Sequence, residues 1–329
     1  MLTMVKSGLI SVLVSMGLLS PALSQEAAPA ARGVAIVEKG DHLQVDVNGH
    51  LFTQYFYKDV PRPFCYPVIG PGEKPMTRNW PMKTVPNEEQ DHKHHRSLWF
   101  THGSVNGHDF WSEDKDFGRI LHDGFIEIRS GPDSGVIRSR NRWVSHDDVL
   151  VCRDERTLRV YAPSAADERM FDFEITVFAL PDSDLRFGDT KEGTMAIRLA
   201  ETMRLKGEFG KGHIVNSEGA RDGETWGKRA KWCDYSGPVD GRVVGVAIFD
   251  HPGNPRFPTW WHVRDYGLFA ANPFGQHDFE KLPDKKAGDL VVPAGKSVTF
   301  RYRFLLHDGD EKQGKVAEQY NAYVSKISR

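Results

Sequence analysis

The chain has 329 residues, with 43 Lys and Arg set against 45 Asp and Glu, and 39% of it is hydrophobic. The formal net charge of −2 argues against a nucleic-acid binder, which needs a basic excess or stripe. After residue 24 no run of eighteen apolar residues occurs, so no helical membrane span is expected.

The N-terminus reads as a signal peptide over residues 1–24. Lys6 supplies the positive flank, Gly8 to Leu19 the apolar run, and Ala22-Leu23-Ser24 the small residues before a cut after Ser24. Secretion or export to the periplasm follows as an expectation. Residues 25–33 are rich in Ala and Pro and read as a flexible leader. Residues 34–329 show no composition break or repeat and read as one domain. Cys65, Cys152 and Cys233 are too few for a disulfide scaffold. One bridge with a leftover thiol fits, and so do three free buried thiols.

Taken in order, the β-type segments are His42–Val47, Leu51–Tyr57, Gly135–Val144, Thr157–Ala162, Phe171–Leu180, Thr194–Leu199, Val243–Phe249 and Val298–Leu306. Between them stand Asn48-Gly49, Asn106-Gly107, Asp123-Gly124, Asp222-Gly223, Asp240-Gly241 and Asp308-Gly309, dipeptides that accept the positive φ angles of tight hairpins. Only the C-terminus has helical spacing. Val316, Tyr320, Tyr323 and Ile327 recur at three- and four-residue intervals within Glu311–Ile327. The pattern predicts an all-β fold, a large antiparallel β-sandwich with one C-terminal α-helix.

Three polar stretches carry candidate chemistry. From Asp91 to Trp111 lie His92, His94, His95, His102 and His108, five of the fourteen histidines within seventeen residues. Imidazole is both a common metal ligand and the usual proton-transfer group near neutral pH. An extended His92-Lys93-His94 puts two rings on one side, as two ligands of one divalent metal would require. Asp91, Glu192 or His262 are candidates for the third ligand, but no strong metal motif such as His-Glu-x-x-His is present. His95 is expected on the side of Trp99 and Thr101, and His102 at the end of a buried face with Leu98 and Phe100. No cofactor is required by these residues. A divalent metal ion at His92 and His94 is one option, and histidines acting without a metal are the other.

The second stretch, Phe187–Gly193, is a turn presenting Asp189 and Glu192, either a solvated hairpin or a source of acid/base carboxylates. The third runs from Asn254 to Gly275, with Trp260, Trp261, His262 and Arg264 along one probable strand and Asn272 further on. Such aromatic and charged groups together suit a sugar ring and its hydroxyls, although a single Trp more often packs in a core.

The segments Tyr66–Gly72, Asp91–Trp111, Gly188–Gly193, Trp226-Gly227-Lys228 and Trp260–Gly275 resemble a bacterial domain family of unknown function, commonly labelled methane oxygenase PmoA. The resemblance covers nearly all of the chain after the leader. It implies secreted proteins of polysaccharide-degrading bacteria whose architecture is similar to the galactose-mutarotase-like supersandwich. That fold hosts epimerases, lyases and glycosidases.

The leading expectation is therefore a secreted carbohydrate-active enzyme of lyase, glycoside hydrolase or sugar epimerase type, acting on an oligo- or polysaccharide. His94, His95 or His102 would act as acid or base, with Glu192 or His262 as partner. Arg96 and Arg264 would hold a carboxylate or hydroxyls, Trp261 would stack on the ring, and Asn106, Trp111 and Asn272 would complete the binding surface. A soluble oxygenase-like enzyme with a His-rich metal site is one alternative. A non-catalytic carbohydrate-binding protein is the other. A two-carboxylate glycosidase would pair Glu192 with Asp189, Glu218 or Asp234.

Overall fold

The protein is described here by a computed structural model covering residues 1–2, 32–163 and 168–327; the predicted signal peptide, and the leader apart from its last two residues, lie outside the described residues. In chain order come β1 (Val34–Glu38), β2 (His42–Val47), β3 (His50–Phe56), β4 (Phe64–Val68), β5 (Leu98–His102), β6 (Arg119–Arg129), β7 (Ser134–Val144), β8 (Leu150–Tyr161) and β9 (Glu168–Phe178). Then follow β10 (Leu185–Phe187), β11 (Gly193–Arg198), β12 (His213–Asn216), β13 (Trp232–Val239), β14 (Arg242–Asp250), β15 (Trp260–Val263) and β16 (Leu268–Asn272). The short helix α1 (Gln276–Glu280), β17 (Leu290–Val292), β18 (Ser297–Asp308) and the helix α2 (Val316–Ile327) complete the chain.

Two eight-stranded antiparallel sheets form the body. The first has the order β1-β2-β3-β4-β5-β11-β16-β15 and the second β12-β13-β14-β18-β9-β8-β7-β6, with a separate β10–β17 pair. Alternation explains the outer strands of the first sheet: in β2, Leu43, Val45 and Val47 are buried while the residues between them are half-exposed. The two sheets meet through Phe52 against Phe171 (5.7 Å between rings) and Phe100 against Phe300 (5.8 Å). Tyr55 also reaches across, its hydroxyl 3.1 Å from Ser139 Oγ. This is the expected antiparallel sandwich.

Several turn assignments survive and three do not, Asp308-Gly309 among them because β18 leads into α2 and not into another strand. Asn48-Gly49 and Asp240-Gly241 have both φ angles positive (53° and 82°, 45° and 80°) and join β2 to β3 and β13 to β14. Asp123-Gly124 is no hairpin, because β6 continues through it with a register shift against β7, and Gly124 sits in the bulge. Asp222-Gly223 opens a single 3-10 turn instead. The strand expected over Thr157–Ala162 is the second half of β8, whose charged residues Arg153 and Glu155 hide the apolar alternation before it.

The C-terminal helix begins at Val316, later than the predicted Glu311. Asp310 Oδ1 accepts the N–H groups of Lys312 (3.0 Å) and Gln313 (2.9 Å), and Lys315 takes a positive φ of 49°, so this segment is a turn. From there Val316, Tyr320 and Tyr323 pack on Trp232, Ala247, Phe249 and Leu305, covering part of the outer face of the second sheet. All three cysteines are free and buried, and burial pushes the Cys65 thiol up to about 12.

The central strands of the first sheet do not alternate. Every residue of β5, β11, β15 and β16 is buried, so both faces there are covered. The inner face lies against the second sheet. The outer face is where the predicted polar stretches meet.

Candidate functional site

Register determines the floor of the site. Across β5, β11, β16 and β15, Trp99 pairs with Ala196, Ala196 with Ala270, and Ala270 with His262, so these four share the outer face. The two alanines leave room above them, and Trp99, Trp111 and Tyr266 fill it. His95 stacks on Trp99 (5.3 Å) and meets Trp111 edge-on (5.7 Å).

The histidine stretch is held over this floor as a turn. His92 has φ of 41°, the N–H of His95 donates to the His92 carbonyl (2.9 Å), and Ser97 has φ of 58°. The extended His92-Lys93-His94 geometry expected from sequence is therefore absent. Three buried arginines make the turn rigid. Arg78 donates to the carbonyls of Asp91 (3.0 Å) and His92 (3.1 Å) and pairs with the Asp91 carboxylate. Arg198 bridges Asp91 Oδ1 (2.9 Å) and His95 Nδ1 (2.9 Å). Arg62 donates to the carbonyls of His94 (3.1 Å) and Trp111 (3.0 Å). Burial pushes the Asp91 carboxyl up, but its bond to His92 and the two guanidiniums outweigh this and hold it well below the usual range.

These contacts also settle which histidines are proton acceptors. Burial, followed by the Arg62 charge, brings His94 down to about 4. His262 is likewise brought to about 4 by burial. His262 Nδ1–H donates to the Lys191 carbonyl, which leaves Nε2 as an unprotonated, buried acceptor without a protein partner. Both rings are neutral near pH 7.

A closed run of rings connects them. His94 lies 5.6 Å from His92, His92 stacks on Tyr266 (5.0 Å), and the Arg264 guanidinium lies 5.4 Å from Tyr266 and 5.8 Å from Trp226. Trp226 meets His262 edge-on at 6.5 Å. Glu192, half-exposed and paired with Lys191 at 2.7 Å, acts electrostatically on His94, His262 and Tyr266. Gly103 N–H donates to the Glu192 carbonyl (2.7 Å) and His262 Nδ1–H to that of Lys191, so the Glu192 turn adjoins residues of the other two sequence stretches. Burial leaves Trp99 Nε1, Trp111 Nε1, Trp226 Nε1 and Thr194 Oγ1 unpartnered in the same region, an unusual density for buried polar atoms.

Several expected site residues have other roles. His102 faces the inner core, its Nε2 donating to the Gly188 carbonyl (2.7 Å) beside Phe187 and Phe274. Strand parity puts it opposite Trp99 and Thr101, away from the groove. Trp261 is fully buried on the same inner side, with Nε1 donating to the Ala230 carbonyl (3.0 Å), so it offers no stacking surface. Asn272 is engaged on both ends: Nδ2 donates to the Thr190 and Lys191 carbonyls (3.0 and 2.9 Å) and Oδ1 accepts the N–H of Phe274 (2.8 Å). It positions the Glu192 turn. Asn106 binds backbone at Asp184 (3.1 Å) and Arg186 (2.7 Å), tying its hairpin to β10. Arg96 is clamped by both oxygens of Glu113 (2.7 and 2.6 Å). Trp111 belongs to the floor.

The donor set does not fit a metal. His92 Nδ1 is bonded to Asp91 Oδ2 (2.6 Å), Asp91 is held by two arginines, and among the described residues no three His, Cys, Asp or Glu side chains converge as ligands. Nor does a second carboxylate join Glu192 from the expected candidates. Asp189 accepts the backbone N–H groups of His277 and Gly288, Glu218 is on an exposed turn bonded to Ser217 (2.8 Å), and Asp234 is buried against His307 (2.6 Å) in the second sheet.

One cavity borders the histidine turn and another lies at Arg264. The larger, about 740 Å³, is lined by Tyr57, Lys93, Arg96, Glu113 and Arg119, of which Arg96 and Glu113 are paired with each other. The smaller, about 390 Å³, is lined by Trp226, Arg264, Lys206 and Asp222 and opens beside Tyr266 and His262. The smaller cavity adjoins the chemistry. Sequence reasoning named neither Tyr266 nor the pinning arginines Arg62, Arg78 and Arg198. Their only signal was arginine and tyrosine within otherwise buried segments.

The chain belongs to the family of unknown function DUF6807, whose profile matches residues 42–321. No protein of curated function matches the sequence. Among solved structures, an alpha-galactosidase from Lactobacillus brevis aligns over 85% of this chain at 8% identity and TM-score 0.43. The chain spans only 40% of that enzyme's length. A galactose mutarotase related enzyme from Lactobacillus acidophilus aligns over 84% of this chain and 98% of its own, at 10% identity and TM-score 0.28. A putative aldose 1-epimerase from Escherichia coli K12 aligns over 84% and 99%, at 12% identity and TM-score 0.28.

Proposed function

We propose that this DUF6807 member is a carbohydrate-active enzyme that moves protons on a sugar bound over the outer face of the first sheet. The observation that carries this reading is the Glu192 turn, bonded through its backbone to Gly103 and His262 at the ring-lined outer face that also carries the His94 turn. Glu192 is the general acid/base, reachable by solvent and substrate. His94, neutral near pH 7, is the accepting partner, and a positioned acid/base pair of this kind contributes about 10²–10⁴-fold. Tyr266, Trp226 and the Arg264 guanidinium held between them form one wall of the groove that takes the sugar.

Asp91 and Glu113 near these imidazoles are tied to arginines, which leaves Glu192 as the acid/base carboxylate and favours epimerase or lyase chemistry over hydrolysis, which needs two carboxylates flanking one bond. The protein is exported, with its signal peptide cut after Ser24; the mass of the mature protein from its native cells tests this. For the enzyme reading, the purified protein is incubated with a panel of neutral and acidic sugars and followed by NMR. The expected result is an epimerised or eliminated product whose rate falls roughly 10²–10⁴-fold in Glu192→Gln. No turnover across the panel, or a Glu192→Gln variant at full rate, overturns the proposal.

A further inference from the structure

Four arginines at the outer face are committed within the protein. Arg62 donates to backbone carbonyls and Glu113, Arg78 and Arg198 share Asp91, and Arg96 is bidentate on Glu113. Arg264 differs. Among the described residues its guanidinium has no hydrogen-bond acceptor and no carboxylate within ion-pair distance. It is half-buried, held between the faces of Tyr266 (5.4 Å) and Trp226 (5.8 Å). The adjacent Asp265, which a surface arginine would ordinarily take, is paired with Lys206 at 2.8 Å.

A guanidinium partly removed from water and left with aromatic faces alone keeps its N–H fork available for a planar anion. Arg264 lines the 390 Å³ cavity, and Trp226 links it to the acid/base region: the indole lies 5.8 Å from the guanidinium and 6.5 Å from His262, which bonds the carbonyl of Lys191, the residue before Glu192. Lys191, paired with Glu192 at 2.7 Å, offsets the like charge of an anion bound on this side of the groove.

We propose that Arg264 is the anion-binding residue of this groove and that its ligand is a sugar bearing a carboxylate, a uronic acid. This rests on the reading that the groove takes a sugar, and it adds the substrate class. A carboxylate matches the planar fork in bidentate fashion, and it acidifies the neighbouring C–H bond on which a proton-transfer pair acts.

The test is calorimetric titration of the full chain with D-galacturonate and D-glucuronate, their methyl esters, the neutral parent sugars and inorganic phosphate. The acids are expected to bind about tenfold or more tightly than their esters, as a charge-assisted bidentate contact implies. Arg264→Met should remove that gap and Arg264→Lys should restore part of it. Arg264 follows β15 and its side chain lies outside the core, so both variants should fold, with thermal denaturation as the check. Equal binding of acid and ester, or a gap that survives Arg264→Met, overturns the uronate assignment while leaving the sugar reading intact. Phosphate binding as tight as uronate also overturns it, in favour of a phosphorylated ligand. Failure of every sugar to bind overturns both.

Discussion

The outer faces of the two sheets carry similar residues and arrange them differently. On the second sheet the charges pair across neighbouring strands. Arg303 bonds Asp172 (2.6 and 2.8 Å) and Arg301 bonds Glu174 (2.6 Å), while α2 covers the apolar remainder. On the first sheet, loops replace the helix as cover. They bring carboxylate, imidazole and guanidinium together without neutralising all of them, and they bury indole and imidazole nitrogens with no protein partner. Pairing within a sheet makes a surface. Pairing deferred by loops makes a site.

Acid separates the two regions most strongly. His262 and His102 have rings brought down to about 4 by burial, whereas an unfolded histidine titrates near 6.5. Between these values the unfolded chain binds protons that the folded chain does not. Their contribution is complete above about pH 6.5 and is lost as pH falls toward 4, at about 3 kcal/mol for each fully buried ring. Asp250 at the end of β14 has the opposite sign. Burial pushes it up to about 7, so its contribution is present at low pH and lost as pH rises through about 7. Urea midpoints measured from pH 7.5 to 4 should fall steeply toward acid. His262→Gln should flatten the fall and Asp250→Asn should steepen it. A profile insensitive to both substitutions would remove the buried-histidine account.

Next in size is Asp91→Ala. It leaves Arg78 and Arg198 buried without their shared carboxylate and should cost about 3–5 kcal/mol. Thermal unfolding measures it, and turnover should fall as well because the His94 turn loses its anchor. A stable, fully active variant would show that the arginine pins are dispensable. The smallest effect belongs to the second sheet. Arg303→Gln breaks a partly exposed pair and should cost about 1 kcal/mol or less with no change in sugar binding. A binding loss there would mean that the site is on the wrong face.

Much of the framework was readable in advance. The alternation of Leu43, Val45 and Val47, and the hairpins at Asn48-Gly49 and Asp240-Gly241, follow from local chemistry that sequence carries directly. So does the split of Trp99 from Leu98 and Phe100, because side chains alternate along a strand. His95 duly stacks on Trp99 while His102 faces the core. Alternation alone does not say which side of a strand is roofed by loops. Trp261 therefore looked like a stacking platform when it is core, and the rings gathered at Arg264 are those of Trp226 and Tyr266, each in a loop.

By itself the sequence determined the class of elements, the positions of the tight turns and the three stretches that hold the chemistry, because each depends on neighbours a few residues apart. The tertiary structure alone decided which residues of those stretches meet. The outer face beneath Glu192, His94 and Arg264 forms because β5, β11, β16 and β15 pair in that order, and the histidine segment lies over it because buried Arg62, Arg78 and Arg198 bend it into a turn. That arrangement depends on contacts between distant residues, such as Arg198 and Asp91, 107 positions apart, which no local pattern encodes.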